Sequence, residues 1–341
     1  MPTSDETDDA YAPAAAEGIH RMAIPTPFAV GRVNVYLIED DPLTLVDAGP
    51  NSGSSLDELQ RELAGHGHAI EDIELILITH QHIDHIGLVE IVASHSGAEV
   101  AAIDRLVPFV ENYREAAAED DAFAMETMLR GGIPADVAQA LASVSLAFRA
   151  WGSRATITRT LREGDVVELR DRKLEVGYRP GHSPTDTIFH DRDRRMLIAG
   201  DHLIKHISSN PLISRLPGSK ERPQSLVTYI DSLQQTARMD LDLVLPGHGD
   251  PVTDHAGLID SRLTLHARRA EKIHKLISER PRTAYDLAQA MWGNIAVTQA
   301  YLTLSEVVGH VDLLLNAGRV TEHDEAGVVR YHAVESSSAA A

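Results

Sequence analysis

Four side chains that can bind metal ions lie within six consecutive positions, namely His80, His82, Asp84 and His85. They come just after an apolar run, residues 73–78, that we predict to be a buried strand. Because side chains two positions apart in an extended chain point the same way, His80 and His82 can reach one ion. Asp84 and His85 follow in the turn and can reach a second ion. Four potential ligands in so short a segment serve no packing purpose, so the segment predicts a metal site.

Three further loops share one pattern, a buried strand followed by glycine and then by a histidine or an aspartate. The residues are His182, Asp201 and His248, and the strands are predicted at 173–178, 195–199 and 241–245. In a chain with 18 histidines, a single histidine is more often a surface or core residue than a ligand. Given the four-residue segment, however, we predict that all three loops contribute metal ligands, because loops at one end of the sheets can converge on one site.

Strands mixed with amphipathic helices predict an α/β (α+β) fold in which helices cover sheets. Further strands are predicted at 33–38, 43–46, 99–103, 156–161, 166–169 and 187–190, and helices at 54–64, 86–94 and 223–237. Residues 105–151 are rich in Ala, Glu, Met and Leu. They are predicted to form a helical insertion between strands.

The chain divides into four predicted segments. Residues 1–18 and 336–341 are predicted to be disordered tails, residues 19–262 a catalytic domain and residues 263–335 a winged-helix domain. The winged helix is predicted from three helices, at 263–278, from Thr283 and at 298–316, followed by a hairpin at 320–331. Thr283 is the expected N-cap of the second helix, with Asp286 three residues later.

The composition limits the classes of function. The 341 residues carry a formal net charge of -20, and so acidic a surface repels nucleic-acid phosphates and anionic membranes. No cysteine is present, which excludes disulfides, thiolate ligands and a cysteine nucleophile. The first residues lack the basic and apolar regions of a signal peptide, and no apolar run is long enough to span a membrane. We therefore expect a cytoplasmic protein with neither nucleic acid nor membrane as a partner.

The His-x-His-x-Asp-His segment and its three later loops resemble the metallo-β-lactamase-fold hydrolase superfamily over residues 22–262. The nearest likeness is to the group of β-lactamase-like protein 2, whose members carry a C-terminal winged helix. The resemblance implies an αββα sandwich with a dinuclear metal site. It implies that His80, His82 and His182 hold the first metal, that Asp84, His85 and His248 hold the second, that Asp201 bridges them and that Asp47 supports the ligands. The alternative role for Asp47 is that of a plain turn residue after a strand.

Two divalent metal ions are the expected cofactors. Zinc is the preferred identity, and iron and manganese are the alternatives. A hydroxide shared by two cations has its pKa lowered towards neutrality and becomes a nucleophile, while one metal polarises the substrate oxygen. We therefore predict catalytic roles for Asp84 and Asp201. His206 is also predicted to be catalytic, facing the cleft with Lys205 and contacting the substrate, although a surface position suits it equally.

Two classes of substrate stay open. The first is an ester, thioester or lactone, a small acyl molecule held under an apolar lid. The lid would come from Phe109, Tyr113, Phe123, Met125, Met128, Leu129, Phe148 and Trp151, for which helix packing is the plain alternative. The second class is single-stranded RNA or another phosphodiester. It would need a basic groove, and the arginines between residues 149 and 195 are the cluster of basic residues that could form one.

The predicted C-terminal domain does not favour RNA or DNA. Its helix at 298–316 carries Glu306 and Asp312 and has no lysine or arginine before Arg319. We therefore interpret this domain as a module that packs against the catalytic domain or against a second copy of the chain. A homodimer is the assembly to be tested. A non-catalytic binding role is disfavoured because all the candidate ligands are present.

Overall fold

Two facing sheets form the centre of the molecule in the computed structural model, which describes residues 10–294 and 299–334. The first sheet has six strands in chain order, antiparallel from β1 to β3 and parallel from β3 to β6. These strands are β1 (Ile19–Ile24), β2 (Val33–Ile38), β3 (Thr44–Val46), β4 (Leu75–Leu77), β5 (Glu99–Ile103) and β6 (Arg159–Leu161).

The second sheet has five strands in the order β11-β10-β9-β8-β7. Its strands are β7 (Val166–Glu168), β8 (Lys173–Tyr178), β9 (Thr187–Asp191), β10 (Met196–Gly200) and β11 (Leu243–Pro246). Only β10 and β11 run parallel to each other; the other pairs are antiparallel. Buried side chains of both sheets, such as Tyr36 from the first and Phe189 from the second, share one apolar cluster between the sheets.

Helices cover the outer faces of both sheets. Before the second sheet the chain forms α1 (Ala12–Ala16), α2 (Gly53–Gly65), α3 (Ile83–Ile86), α4 (Val89–Ser96), α5 (Val107–Glu111), α6 (Tyr113–Arg130) and α7 (Ala135–Phe148). After β10 follow α8 (Ser225–Thr236), α9 (His255–Glu279), α10 (Ala284–Trp292) and α11 (Ala300–Asn316). Leu59 of α2 packs in the cluster outside the first sheet and Leu233 of α8 in the cluster outside the second. The αββα sandwich predicted from the sequence is therefore confirmed.

The segment predicted to be a helical insertion, residues 105–151, contains α5, α6, α7 and a 3₁₀ turn, Arg149–Trp151. Part of it does not face a cleft. Phe123 and Met128 are buried in one apolar cluster with Leu304 of α11 and Ile273 of α9. The insertion therefore joins the C-terminal region to the sandwich.

The prediction of a disordered tail over residues 1–18 is wrong for residues 10–18. Tyr11 is 4% exposed, and its hydroxyl donates a hydrogen bond of 2.6 Å to the carbonyl oxygen of Gly249. Asn34 Nδ2 donates to the same hydroxyl at 3.0 Å, and Ala14 of α1 is fully buried. One aromatic side chain thus anchors a segment whose composition suggested disorder. Residues 1–9 and the predicted tail at 336–341 lie outside the described residues.

The predicted boundary between residues 262 and 263 falls inside one continuous helix, α9. Asp254 caps this helix by accepting a hydrogen bond of 2.9 Å from the amide of Gly257. Ile259 packs in the outer cluster of the second sheet, whereas Ile277 packs in the C-terminal cluster. Since one helix belongs to both cores, no linker separates the two regions.

The C-terminal region has the elements on which the winged-helix interpretation rests. α10 and α11 are followed by the hairpin β13 (Val320–Glu325) and β14 (Val328–Ala333), and β12 (Arg282–Thr283) pairs with β14. Thr283 caps α10 with Asp286 in a capping box, as predicted. Thr298, the predicted start of the third helix, lies outside the described residues. In the part of the chain that the structure describes, no helix is long and apolar enough to cross a bilayer.

Candidate metal centre

The seven predicted ligands converge in two adjoining groups. The first group contains His80, His82, His182 and Asp201, and the second contains Asp84, His85 and His248. Within each group, one potential ligand atom of every residue lies within 4.8 Å of the others. The ligands come from the loops that follow β4, β8, β10 and β11, so the convergence of loops expected from the sequence is what the structure shows.

The carboxylate of Asp201 lies between the two groups. Its Oδ2 is 3.4 Å from His182 Nε2 in the first group and 3.6 Å from His248 Nε2 in the second. Its Oδ1 is 3.6 Å from His85 Nε2. Asp84 Oδ2 is 3.3 Å from His248 Nε2 and completes the second group. This is the arrangement that a bridging carboxylate requires.

Asp47 holds the loop that carries the first ligands. Its Oδ1 accepts a hydrogen bond of 2.9 Å from the amide of Thr79, and its Oδ2 accepts one of 2.7 Å from the Thr79 hydroxyl. The same Oδ2 accepts a hydrogen bond of 2.7 Å from His85 Nδ1. Asp47 is 2% exposed and has φ 60, in the left-handed region, so it is not a plain turn residue. It fixes the orientation of one ligand ring and the backbone next to another.

Hydrogen bonds fix how four imidazole rings face the centre. The Thr79 hydroxyl donates its proton to Asp47, so its oxygen accepts from His80 Nδ1 at 3.0 Å. His182 Nδ1 donates to the carbonyl of Asn210 at 3.1 Å, and His248 Nδ1 donates to that of Arg32 at 2.9 Å. With Nδ1 donating outward in these rings and in His85, each Nε2 faces the centre, where the neutral ring presents a lone pair.

His82 differs from the other four histidines. Its Nδ1 lies 2.9 Å from His182 Nε2, so it presents Nδ1 to the first group. In the sequence His82 stands at the point where α3 begins, and the backbone of His85 donates to its carbonyl at 2.9 Å. The helical turn therefore starts between the two groups and directs His80 and His82 to one side and Asp84 and His85 to the other.

Several buried polar atoms at the centre have no hydrogen-bond partner within the described chain. They are Nε2 of His80, His85 and His248 and Oδ1 of Asp201. Leaving such groups unsatisfied costs about 1–3 kcal/mol each, and bound cations would remove that cost. Burial and neighbouring imidazoles hold the pKa of His80 well below its usual range, so this ring is neutral, as a ligand must be. The residues therefore fit divalent metal ions.

The charge of the centre also favours cations. Burial lowers the pKa of His85, but three neighbouring carboxylates outweigh burial and hold this pKa well above its usual range. The carboxylates belong to Asp47, Asp201 and Asp84. Five imidazoles and two carboxylates are a ligand set suited to zinc, iron or manganese.

Gly247 provides the space in which the ligands meet. A Cβ atom at this position would overlap Asp201 Oδ1 and would lie 2.8 Å from His85 Cε1. The amide of Gly247 donates to the carbonyl of Gly200 at 2.7 Å, which ties the loops after β10 and β11 together. The glycine before His248 is therefore needed for the close approach of two ligands.

The structure does not bring His206 to the metal centre, which corrects the prediction that it faces the cleft. The residue is exposed, and its ring packs against Gly249, where an added Cβ would lie 2.6 Å from His206 Cε1. The part of its ring that is covered by Gly249 loses solvent, which lowers the pKa of His206 below its usual value. It is also not among the residues that line the cavity next to the centre. Its position after Asp201 in sequence misled the prediction, because the loop turns outward at Lys205.

We expect His206→Ala to change kcat/KM by less than about threefold, a difference of under about 1 kcal/mol. Steady-state kinetics on any accepted substrate measures this. The matched variant is His248→Ala, which removes a histidine of the centre and should lose nearly all activity. A loss in His206→Ala as large as that in His248→Ala would restore His206 to the catalytic site.

A cavity of about 600 Å³ opens directly onto the centre. Four parts of the chain form its walls: the loop after β1, the helical insertion, the loop after β10 and the start of α11. His82, Asp84, His182, Asp201 and His248 form one end of it. The other lining side chains are mostly apolar and include Phe28, Val30, Phe109, Ala117, Phe148, Ile207 and Leu302.

Of the eight side chains predicted as an apolar lid, three line the cavity. They are Phe109, Tyr113 and Phe148. Phe123 and Met128 are instead core residues, as the alternative interpretation expected. The contributions of Phe28 and Leu302 were missed, and no sequence signal connects these positions with the metal ligands.

Two facing sheets between helices, with histidines and aspartates gathered at the ends of the strands, define a metal-dependent hydrolase. The chain belongs to the metallo-beta-lactamase superfamily, whose family model matches residues 29–248. It is similar to the probable metallo-hydrolase YqjP of Bacillus subtilis (strain 168), with 32% identity over 316 residues that cover 92% of this chain and 98% of that protein.

Other relatives share a part of the chain or its fold. The acyl-coenzyme A thioesterase MBLAC2 of Homo sapiens is 34% identical over 95 residues, which are 27% of this chain and 31% of that protein. A beta-lactamase domain protein from Burkholderia ambifaria has a TM-score of 0.79 and 26% identity, covering 93% of this chain and 92% of that one. The metallo-beta-lactamase family protein TTHA1429 from Thermus thermophilus has a TM-score of 0.78 at 24% identity, covering 93% of this chain and 99% of that one, and shows the shared fold.

Proposed function

We propose that this metallo-hydrolase uses two divalent metal ions, with zinc as the preferred identity, to cleave an ester, thioester or lactone with an apolar acyl group. The observation that carries the proposal is the apolar cavity that opens onto the metal centre. Its volume of about 600 Å³ suits a small molecule rather than a polymer, since ligand pockets usually measure roughly 300–1,000 Å³. The acyl carbonyl would lie at the end where the ligands meet.

The chain's own residues have defined parts in this proposal. His80, His82 and His182 would hold one ion, Asp84, His85 and His248 the other, and Asp201 both. The two ions would supply an activated water and polarise the acyl carbonyl. Asp84 and Asp201 balance the charge of the ions, and the apolar walls exclude bulk water from the reacting group.

One face of α6 forms the wall that an acyl chain would follow. Tyr113, Ala116, Ala117, Asp120, Asp121 and Ala124 all line the cavity, at spacings of three or four residues along the helix. The small side chains of the alanines leave space in the cavity along this face of the helix. Asp121 forms an ion pair of 2.5 Å with Arg149, and Asp120 accepts a hydrogen bond of 2.8 Å from the hydroxyl of Ser214.

The comparison with MBLAC2 supports a thioester among the acyl substrates. The protein of that name from Homo sapiens is an acyl-coenzyme A thioesterase. The shared 95 residues cover only part of either chain, so the support extends to the reaction type more than to the group that the acyl chain is attached to.

The alternative of RNA cleavage has little support from the arginines that suggested it. Eight of the ten arginines between residues 149 and 195 form ion pairs with carboxylates, and Arg149 is the one among them that lines the cavity. An arginine already paired with a carboxylate contributes little to phosphate binding. The basic groove that a single strand needs is therefore not assembled beside the metal centre in the described residues.

The C-terminal region supports the interpretation of a packing module. Glu306 and Asp312 of α11 are buried, and Asp312 accepts two hydrogen bonds, of 2.8 and 2.6 Å, from Arg222. Tyr301 and Leu302 at the start of the same helix line the cavity. A helix enclosed in this way walls the substrate site and is not free to enter a nucleic-acid groove.

A panel of substrates tests the proposed function. The metal-loaded protein is assayed on acyl thioesters, lactones, β-lactams, phosphodiesters and single-stranded RNA, with and without a chelator. We expect turnover of thioesters or lactones that the chelator abolishes. Cleavage of RNA with no acyl compound cleaved would refute the proposal, and metal analysis of the active protein identifies the ion.

We expect Ala117→Leu to shorten the acyl chain that the enzyme accepts. A leucine at this lining position fills part of the cavity, so kcat/KM for a long-chain thioester should fall about tenfold while a short-chain substrate is unaffected. The matched control is Ala118→Leu, because Ala118 is exposed on α6 and does not line the cavity. Equal losses on long and short chains would show that the acyl group does not follow α6.

A further inference from the structure

A second group of metal-binding side chains lies at the end of β1 and β2, away from the metal centre. One potential ligand atom each from His20, Glu39 and His66 lies within 4.8 Å of the other two. His20 Nε2 is 3.0 Å from Glu39 Oε2, and the rings of His20 and His66 have centroids 4.3 Å apart. His68 Nε2 approaches the other carboxylate oxygen of Glu39 to 3.6 Å.

Three independent parts of the backbone bring these residues together. Ile19 of β1 pairs with Ile38 of β2, so His20 and Glu39 lie at the same end of the hairpin. His66 and His68 follow α2 in a turn in which Gly67 has φ 83. This left-handed glycine lets the two histidines of the turn point to the same carboxylate.

The spacing of His20, Glu39 and His66, with His68 beside the other carboxylate oxygen, suits an ion of the zinc class. Zinc binds imidazole nitrogen and carboxylate oxygen at about 2.0–2.2 Å, which places neighbouring ligand atoms about 3.3 Å apart. The distance of 3.0 Å between His20 Nε2 and Glu39 Oε2 is close to that value, and His68 Nε2 lies 3.6 Å from the other oxygen, Oε1. Both distances resemble the separations of 3.3 to 3.6 Å found between ligands in the metal centre.

The negative charge of Glu39 also favours the binding of a cation. In the described part of the chain, the ion pairs of Glu39 are with His20 and His68 and with no lysine or arginine. The adjacent imidazole of His20 lowers the pKa of Glu39, so the carboxylate is ionised at neutral pH. The side chains are partly exposed, which gives an ion in solution access to them.

Another cluster of histidines and a glutamate shows how such side chains are arranged when their charges and hydrogen bonds are satisfied within the protein. His266, Glu306 and His310 also approach one another and are all buried. There the carboxylate of Glu306 is paired with the guanidinium of Arg269, which repels a further cation. His266 Nδ1 lies 3.2 Å from His310 Nε2, within hydrogen-bonding distance. That cluster is an internal polar network, whereas no arginine of residues 10–294 or 299–334 forms an ion pair with Glu39.

We propose that His20, Glu39, His66 and His68 form a peripheral binding site for a third transition-metal ion, of the zinc class, distinct from the catalytic centre. The ion would tie the turn after α2 to the end of the first hairpin. The site is remote from catalysis, because α2 has 13 residues and therefore separates it from the loop of Asp47 by about 20 Å. β2 likewise separates it from Val33, which bridges to His248.

Zinc stoichiometry tests this proposal without reference to hydrolysis. The full-length protein is freed of metal, equilibrated with buffered zinc and analysed for bound zinc, beside the double variant His66→Ala/His68→Ala. We expect the variant to bind one zinc ion fewer per chain and to keep its hydrolytic activity within about twofold. Zinc added after the catalytic centre is filled should raise the Tm of the original protein and not that of the variant.

The matched control is His95→Ala, which removes an exposed histidine outside the group and should leave the zinc count unchanged. Equal zinc counts and equal Tm shifts in the double variant and the original protein would overturn the proposal. Glu39→Gln keeps the shape of the side chain and removes its charge, so it should lower zinc affinity if Glu39 is a ligand and leave it unchanged if it is not. Because these readouts do not depend on the substrate, failure of this proposal leaves the proposed hydrolase function intact.

Discussion

Replacement of Asp201 by alanine is expected to lower kcat/KM on every accepted substrate by about a thousandfold or more. Among the described residues, this carboxylate has an oxygen that faces ligands of both groups of the centre, at 3.4 Å from His182 Nε2 and 3.6 Å from His248 Nε2. In the proposed dinuclear centre, its loss would remove a ligand and the group that would fix the separation between the two ions. Lewis-acid stabilisation of a transition state is worth several kcal/mol, and about 4 kcal/mol corresponds to a thousandfold change in rate.

Steady-state kinetics on the metal-loaded variant, with metal analysis of the same sample, measures this effect. The control is Asp193→Ala, which removes an exposed aspartate from the turn between β9 and β10 and should leave kcat/KM unchanged. Melting curves of both variants show whether the fold is retained. Undiminished activity in Asp201→Ala would refute the metal mechanism itself, whatever the substrate.

The sequence predicted the parts of the centre that depend on local geometry. Strands such as β2 and β8 have the bounds that alternating or apolar runs indicated. The spacing of His80 and His82 after a strand, and of Asp201 and His248 after Gly200 and Gly247, reflects the short turns that end a strand at a site. Such turns depend on neighbours in the chain, which is why residue types and spacing were sufficient to find them.

The features that the sequence did not predict depend on contacts between distant segments. Tyr11 is buried because Gly249 and Asn34 lie beside it, which no property of the first residues reveals. The cavity wall from Leu302 exists because α11 packs against the insertion, through side chains such as Phe123. His206 was misplaced for the same reason: its position relative to Asp201 is set by the course of a loop and not by strand periodicity.

These distant contacts also connect the substrate cavity to the metal ligands. The carbonyl of Asn210 accepts from His182 Nδ1 at 3.1 Å, while Asn210 Nδ2 donates to the carbonyl of Leu302 at 3.0 Å. One residue of the loop after Asp201 thus touches a ligand on one side and the C-terminal helix on the other. The C-terminal region therefore supports the centre as well as the wall of the cavity, and it is part of the functional unit.

The second large effect is expected from Asp47→Asn, which should weaken metal binding about 10- to 100-fold. The two oxygens of Asp47 accept three hydrogen bonds, from the amide and hydroxyl of Thr79 and from His85 Nδ1. An asparagine has one oxygen, so in either orientation its NH₂ group faces a donor. If it faces His85, the ring must move its proton to Nε2, the atom that would bind an ion in the second group.

Asparagine is the informative substitution because it tolerates the left-handed backbone of Asp47, with φ 60, so a loss cannot be assigned to backbone strain. Competition with a chelator measures metal affinity, and kcat/KM at saturating metal measures what remains of catalysis. Thr79→Ser keeps both donors to Asp47 and should bind metal nearly as the original protein does. If Asp47→Asn bound metal with unchanged affinity, Asp47 would not set the tautomer of His85, and the orientation of that ring would have to come from Asp201 alone.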